Sequence, residues 1–123
     1  MKITLPKPLT WVGASKKDLL DFPGEVRQMM GFALYAAQQG DKHIDAKPLK
    51  GFNGAKTLEI VESYHGDTYR AVYTVKFEGT VYVLHCFQKK SKKGISTPKP
   101  DIDLIKQRLK DAESLYLQEK KRK

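Results

Sequence analysis

A small α+β fold is what this sequence predicts: two N-terminal helices, three antiparallel strands and a C-terminal helix, layered around one core. Three observations predict it. Apolar residues recur every three to four positions over 26–37 and again over 102–116, the period of a helix with one buried face. Between those stretches lie three runs that alternate or stay apolar throughout, joined by short connections at His65-Gly66 and Glu78-Gly79. Finally, 123 residues with 40% hydrophobic and 30% charged content suit a single domain, 1–123, with one core of modest size.

Residues 1–12 carry Pro6, Pro8 and Trp11 and read as an extended lead-in. Ser15 with Asp18 resembles a capping box, so a short helix is expected through Leu19, Leu20 and Phe22. Pro23 suits the first turn of a second helix. Its stripe is Val26, Met29, Met30, Ala33, Leu34 and Ala37, and methionines at that spacing are core packing rather than a cofactor box. Gly40 ends it. Asp41 to Lys56 reads as a loop, in which Gly51 and Gly54 are turn punctuation around Phe52 and not a phosphate-binding loop. Residues 58–64 alternate, with Leu58, Ile60 and Tyr64 on one side, and residues 69–77 alternate again, with Arg70, Val72 and Thr74 on the less apolar side. From Thr80 to Phe87 both faces are apolar, which predicts a strand covered from both sides. Three strands so linked form an antiparallel meander. Thr97 is expected to cap the last helix with Pro98 in its first position, Asp101 and Asp103 at its positive end, and Ile102, Ile105, Leu109, Ala112 and Tyr116 as its seam. Residues 118–123 form a basic tail.

Several function classes drop out. Cys86 is the sole cysteine, so no disulfide forms within the chain, and it reads as a core residue in a reducing cytosol. No apolar run approaches the ~20 residues that cross a bilayer, and no signal-peptide pattern opens the chain, so a cytoplasmic protein without a membrane partner is expected. His43, His65 and His85 with one cysteine lack metal-ligand spacing, and no cofactor fingerprint, Walker loop or nucleophile elbow is present. Net charge is +9, and from Cys86 onward twelve Lys or Arg face five Asp or Glu, so seven of the nine charges fall in the last third. Such an excess favours nucleic acid, an anionic membrane or an acidic protein, without choosing among them.

The densest cationic run is Lys89, Lys90, Lys92 and Lys93, directly after the apolar strand, where a rigid element can hold positive charge against a polyanion. Arg70 has two readings: an exposed pair with Glu59 across the strands, worth under ~1 kcal/mol, or a cation on a concave, solvent-reached surface. The pattern alone favours the pair. His85, alternating with Val83 and Phe87, reads as a hydrogen-bonded core histidine. Tyr64 and His65 next to the first turn are either turn packing or base-stacking groups.

The segments KPLKG, LEIVESYHGDTYRAVYTV and VYVLHCFQKKSKKGISTPKPDIDLIKQRL together resemble the phage-derived branch of the HigB toxins, within the RelE/ParE superfamily. The resemblance spans roughly residues 20 to 112 and is carried by YRAVY, LHCFQKKSKKG with the following TP, and DIDLIKQRL. It implies a RelE-like fold with a small twisted sheet. It also implies a type II toxin: a metal-independent, cofactor-free endoribonuclease that cuts mRNA on the ribosome, neutralised by a HigA-like helix-turn-helix antitoxin. By the same resemblance Arg70 is the phosphate-binding strand arginine, and Lys89 and Lys90 the basic pair ending the next strand. One departure is Val61, where other branches carry an arginine. RNA brings its own nucleophile, so a protein needs only to position the 2′-hydroxyl and neutralise the scissile phosphate. Arg70 would clamp the phosphate, and a lysine of the crowded pair would serve as base or acid, with His85 or His65 as alternatives. Lys92 and Lys93 would hold flanking phosphates or 16S ribosomal RNA, and Tyr64 a base. Two other readings remain at this stage: a non-catalytic RNA- or protein-binding module of this fold, and a ParE-like gyrase poison.

Overall fold

The computed structural model describes residues 5–89 and 97–122. In chain order the elements are β1 (Leu9–Trp11), α1 (Ser15–Leu20), α2 (Gly24–Gln38), β2 (Ala46–Pro48), β3 (Thr57–Tyr64), β4 (Asp67–Thr74), β5 (Val81–Lys89) and α3 (Lys99–Lys121). Among the described residues the strands form one sheet in the order β1-β5-β4-β3-β2. The expected meander is its centre: β3, β4 and β5 pair antiparallel in sequence order. The turn between β3 and β4 has His65 at φ 51° and Gly66 at φ 85°, the two left-handed residues that a type I′ hairpin requires.

Two three-residue strands extend the meander to a five-stranded sheet. The lead-in supplies β1, which lies parallel to β5 with Leu9 beside Val81 and Trp11 beside Val83. The long loop supplies β2, antiparallel to β3, with Pro48 tolerated because it sits on an edge strand. Neither is long enough to show a period of two.

Helix ends also differ from expectation, for one recurring reason: hydroxyls expected to cap are drawn into tertiary contacts. Ser15 lies inside α1, and its hydroxyl donates to the Val83 carbonyl at 3.1 Å. Thr97 precedes α3, whose capping position is Pro98, and its hydroxyl donates to Glu59 Oε2 at 3.3 Å. Pro23 takes the capping position of α2 rather than its first turn.

The sheet separates two cores. On one face α1 and α2 lay Leu19, Phe22, Val26, Met30 and Leu34 against Ile60, Tyr73 and Val83. Met29, expected in this stripe, faces solvent instead. On the other face α3 lays Ile105 and Ala112 against Val72, Tyr82 and Leu84. Phe77 joins this second face, against Tyr82 and Tyr116, because β4 ends at Thr74 and its alternation stops there. No described helix is long and apolar enough to cross a membrane.

A β-bulge in β5 decides which side chains reach the α3 face. Val72 pairs with His85, yet Tyr73 pairs with Val83, so Leu84 is the extra residue. Strict alternation would put His85 on the same face as Val83. The bulge instead leaves Val83 in the helix α1–α2 core and turns His85 toward α3. Its carbonyls are held from three directions. Val83 accepts from the Val12 amide at 2.9 Å and from Ser15, and Leu84 accepts from Arg108 Nη1 at 2.9 Å.

Two outcomes test this packing. Ile105 is fully buried at the α3 seam, so Ile105→Ala should cost about 2–5 kcal/mol in urea-induced unfolding. Cys86 is buried in the α1–α2 core, and burial pushes its thiol up to about 12, so alkylation at pH 8 should proceed only after urea unfolds the chain.

Candidate nucleic-acid site on the α3 face of the sheet

Register places Glu59 of β3, Arg70 of β4, and His85, Phe87 and Lys89 of β5 on one face. Thr68 pairs with Lys89, Arg70 with Phe87 and Val61, and Val72 with His85 and Glu59. The start of α3 adds Thr97 and Asp101, and its middle adds Arg108. Arg70 and Lys89 therefore come from adjacent strands to the same side of the sheet.

The hollow expected around Arg70 is closed. Arg70 is 4% exposed, and its Nη1 donates to Glu59 Oε2 at 3.1 Å. The Glu59 side chain is itself only 10% exposed and also accepts from Thr97. The pairing of Arg70 with Glu59 was legible as a surface contact; its burial was not, because the helix end that delivers Thr97 comes from 38 residues away. A charge taken out of water is tolerated here because its counter-ion and a further hydrogen bond accompany it.

His85 is the second feature of this face. Its Nε2 lies 2.8 Å from Asp101 Oδ1, its Nδ1 lies 3.4 Å from Arg108 Nη1, and its ring stacks on Phe87 at 4.6 Å. A guanidinium can only donate, so Nδ1 accepts and Nε2 carries the proton toward the carboxylate. Arg108 reaches this position beside Gly13, where a Cβ would come within 2.8 Å of Arg108 Nε and where φ is +58°. No larger residue fits between them without displacing the guanidinium.

The other sequence-derived candidates are dispersed. Lys89 ends β5, half-buried. Lys90, Lys92 and Lys93 lie outside the described residues. Tyr64 points to the opposite face, half-buried against the α1–α2 core, with its ring edge-on to His65 at 4.2 Å. His65 is exposed in the hairpin turn. The pattern missed Glu59, Asp101 and Arg108 as members of this site. Asp101 and Thr97 had a sufficient local role as helix-start residues, and only tertiary placement reveals the second one.

A carboxyl pair with no sequence signature lies at the β2 edge on the other face. Glu62 of β3 is raised from 4.5 to about 7, first by burial and then by its hydrogen bond to Asp45 and the Asp45 charge. Asp45 also lies 3.8 Å from His43 Nδ1. Two acids sharing a site cannot both ionise freely.

Chemically, the α3 face combines a guanidinium and an ammonium for phosphoryl oxygens, a carboxylate that accepts protons and an imidazole of fixed tautomer. Breaking the buried pair from one side should be costly: Arg70→Ala and Glu59→Ala should each lose about 3–5 kcal/mol, and the double variant less than their sum, in a denaturant double-mutant cycle. For Glu62 the sign is the reverse of an ordinary paired acid. Between its unfolded value near 4.5 and its folded value near 7, only the folded state holds the proton, so stability falls as pH rises through that window. Glu62→Gln should therefore melt above the parent protein at pH 8, with the gap closing toward pH 4.5.

The model of the family described as phage derived protein Gp49-like (DUF891) matches residues 17–110. Among solved structures, a mutant of the E. coli toxin RelE in the free state superposes with a TM-score of 0.51 at 18% identity, covering 67% of this chain and 82% of that one. The RelBE2 toxin–antitoxin complex from Mycobacterium tuberculosis gives a chain with a TM-score of 0.46 at 18% identity, covering 74% of this chain and 100% of that one. Among curated proteins none matches. The order of elements expected from the sequence, two helices before the antiparallel sheet and one after it, is thus a RelE-like fold. With a family match running from α1 into the middle of α3, this chain belongs to the Gp49-like phage-derived family.

Proposed function

We propose that this chain is the toxin of a toxin–antitoxin pair and acts as an endoribonuclease on mRNA at the ribosome, with the α3 face of the sheet as its active site. The observation that carries the reading is the placement of Glu59, Arg70, His85 and Lys89 on one face of a RelE-like fold. Each has a role that RNA cleavage needs. Arg70 binds the nonbridging oxygens of the scissile phosphate and stabilises the charge that builds on them. Glu59 takes the proton of the 2′-hydroxyl as its oxygen attacks phosphorus, and the bond from phosphorus to the 5′-oxygen breaks. An ammonium proton from Lys89 or Lys90 goes to that leaving oxygen, while His85, neutral between Asp101 and Arg108, is held in one orientation beside it as a positioning group. The products are a 2′,3′-cyclic phosphate and a 5′-hydroxyl.

The ammonium groups of Lys89 and Lys90, next to each other in the chain, also add positive charge at the phosphate. Lys92 and Lys93 hold flanking phosphates or 16S ribosomal RNA. Tyr64 and His65, on the opposite face and in the turn, are assigned base contacts only outside this centre. The buried pair sets a condition on the reaction: RNA must displace the Glu59 carboxylate from Arg70 before the phosphate can bind there. In this reading the protein works in the cytoplasm without a cofactor, and a HigA-like antitoxin restrains it.

The same burial favours a second reading, a non-catalytic RNA- or protein-binding module of this fold, because a guanidinium already neutralised is a poor phosphate clamp. Induced expression in a bacterial host separates the two. The nuclease should arrest growth and translation and leave mRNA cut at discrete positions by primer extension. Arg70→Lys and His85→Gln, each checked for a cooperative melt, should relieve the arrest by at least tenfold in surviving cells. Normal growth on induction of the folded parent protein rules the nuclease out, and DNA damage with intact mRNA points to gyrase.

A further inference from the structure

A cleft of about 320 Å³ opens between the 51–53 turn and α3, next to the site described above. Phe52, Asn53, Lys76, Lys106, Leu109 and Lys110 line it, together with Thr57 at the start of β3. None of its lining residues is acidic. Its three lysines come from two elements that converge across the sheet. Lys106 and Lys110 stand one helical turn apart on α3, where like charges repel, and Lys76 follows β4. Among the described residues none of the three has an ion-pair partner; Lys76 only lies 5.8 Å from the centre of the Phe77 ring. Asp103, three positions before Lys106, is engaged by Lys99, and Glu113, three positions after Lys110, forms no ion pair with it among the described residues.

Three cations without ion-pair partners among the described residues, lining one cleft with a half-buried aromatic ring, form an electrostatic and stacking match to one unit of a single-stranded nucleic acid. A volume near the lower end for ligand sites suits one nucleotide rather than a folded partner. Position agrees. Thr57 and Glu59 are two residues apart on one strand and on one face, so the cleft adjoins the Glu59–Arg70 pair at about 7 Å along β3.

We propose that this cleft is a single-stranded RNA subsite. It takes the base or ribose of one nucleotide against Phe52 and Leu109 and the neighbouring phosphate across Lys76, Lys106 and Lys110. This deepens the RNA reading of the adjoining site and rests on it for the choice of RNA over another polyanion. The subsite gives affinity and register, without chemistry of its own, and the amide of Asn53 is placed to read a base edge.

Fluorescence anisotropy of the full chain with a labelled ten-nucleotide 2′-O-methyl RNA, which lacks the attacking hydroxyl, tests it. Paired substitution K106Q/K110Q should weaken binding at least tenfold and lower the slope of affinity against salt by about one. Phe52→Leu, which keeps an apolar group on the core, should weaken it by about five- to a hundredfold at unchanged salt slope. Unchanged affinity in both variants, or no RNA binding by the parent protein, overturns the proposal. Equal affinity for a ten-residue polyglutamate, insensitive to Phe52→Leu, also overturns it and reassigns the cleft to an acidic protein segment. If the cleft variants lose RNA while the parent protein leaves translation intact, the nuclease reading fails and this one stands. If the parent protein cuts mRNA and the cleft variants bind RNA as tightly as it does, only this one fails.

Discussion

One inserted residue in β5 governs the chemistry of the α3 face. Without Leu84 as a bulge, His85 would be carried into the α1–α2 core, where Asp101 and Arg108 could not reach it. The bulge costs ladder hydrogen bonds, and the chain replaces them one by one. The Val12 amide and the Ser15 hydroxyl satisfy Val83, and Arg108 satisfies Leu84. Each donor comes from a different segment, so the kink is a joint where β1, α1 and α3 are fastened to the sheet. Gly13 belongs to the same joint, since only a residue without a side chain leaves room for Arg108.

The Arg70–Glu59 pair sets folding and function against each other. Buried, hydrogen-bonded and shared with Thr97, it ties β3, β4 and the approach to α3 into one unit. The same features withhold the guanidinium from any anion in solution. A site of this kind is competent only after a ligand supplies charge equal to the carboxylate that it removes. Phosphate meets that requirement and a neutral ligand does not, so in the proposed nuclease reading the pair would select for charge as well as hold the strands together.

Long-period patterns were legible in the sequence, and short or conditional ones were not. The stripe of α2 and the seam of α3 follow from apolar spacing, and the hairpin from His65-Gly66. β1 and β2 escaped notice because three residues cannot display an alternation, and the pairing that defines them comes from strands far along the chain. Ser15 and Thr97 misled for a physical reason: a hydroxyl beside a helix start has two competing uses, and here the sheet offered the better acceptor. At the site, Arg70 and Lys89 could be placed on neighbouring strands by pattern, whereas the facing of His85 depended on a bulge that no periodicity announces. The Asp45–Glu62 proximity is likewise a product of β2 pairing with β3.

The parallel contact of β1 with β5 also orders events in time. Leu9 cannot meet Val81 until 72 further positions have been synthesised, so the earliest segment of the chain stays without its neighbour until the latest strand emerges. The bulge depends on both ends, and His85 depends on the bulge. A nascent or truncated chain can therefore assemble the β3–β4 hairpin while lacking a correctly aimed imidazole. Biogenesis is therefore ordered: the α3 face, which needs Asp101 and Arg108 as well as the bulge, is assembled only when the polypeptide is almost finished.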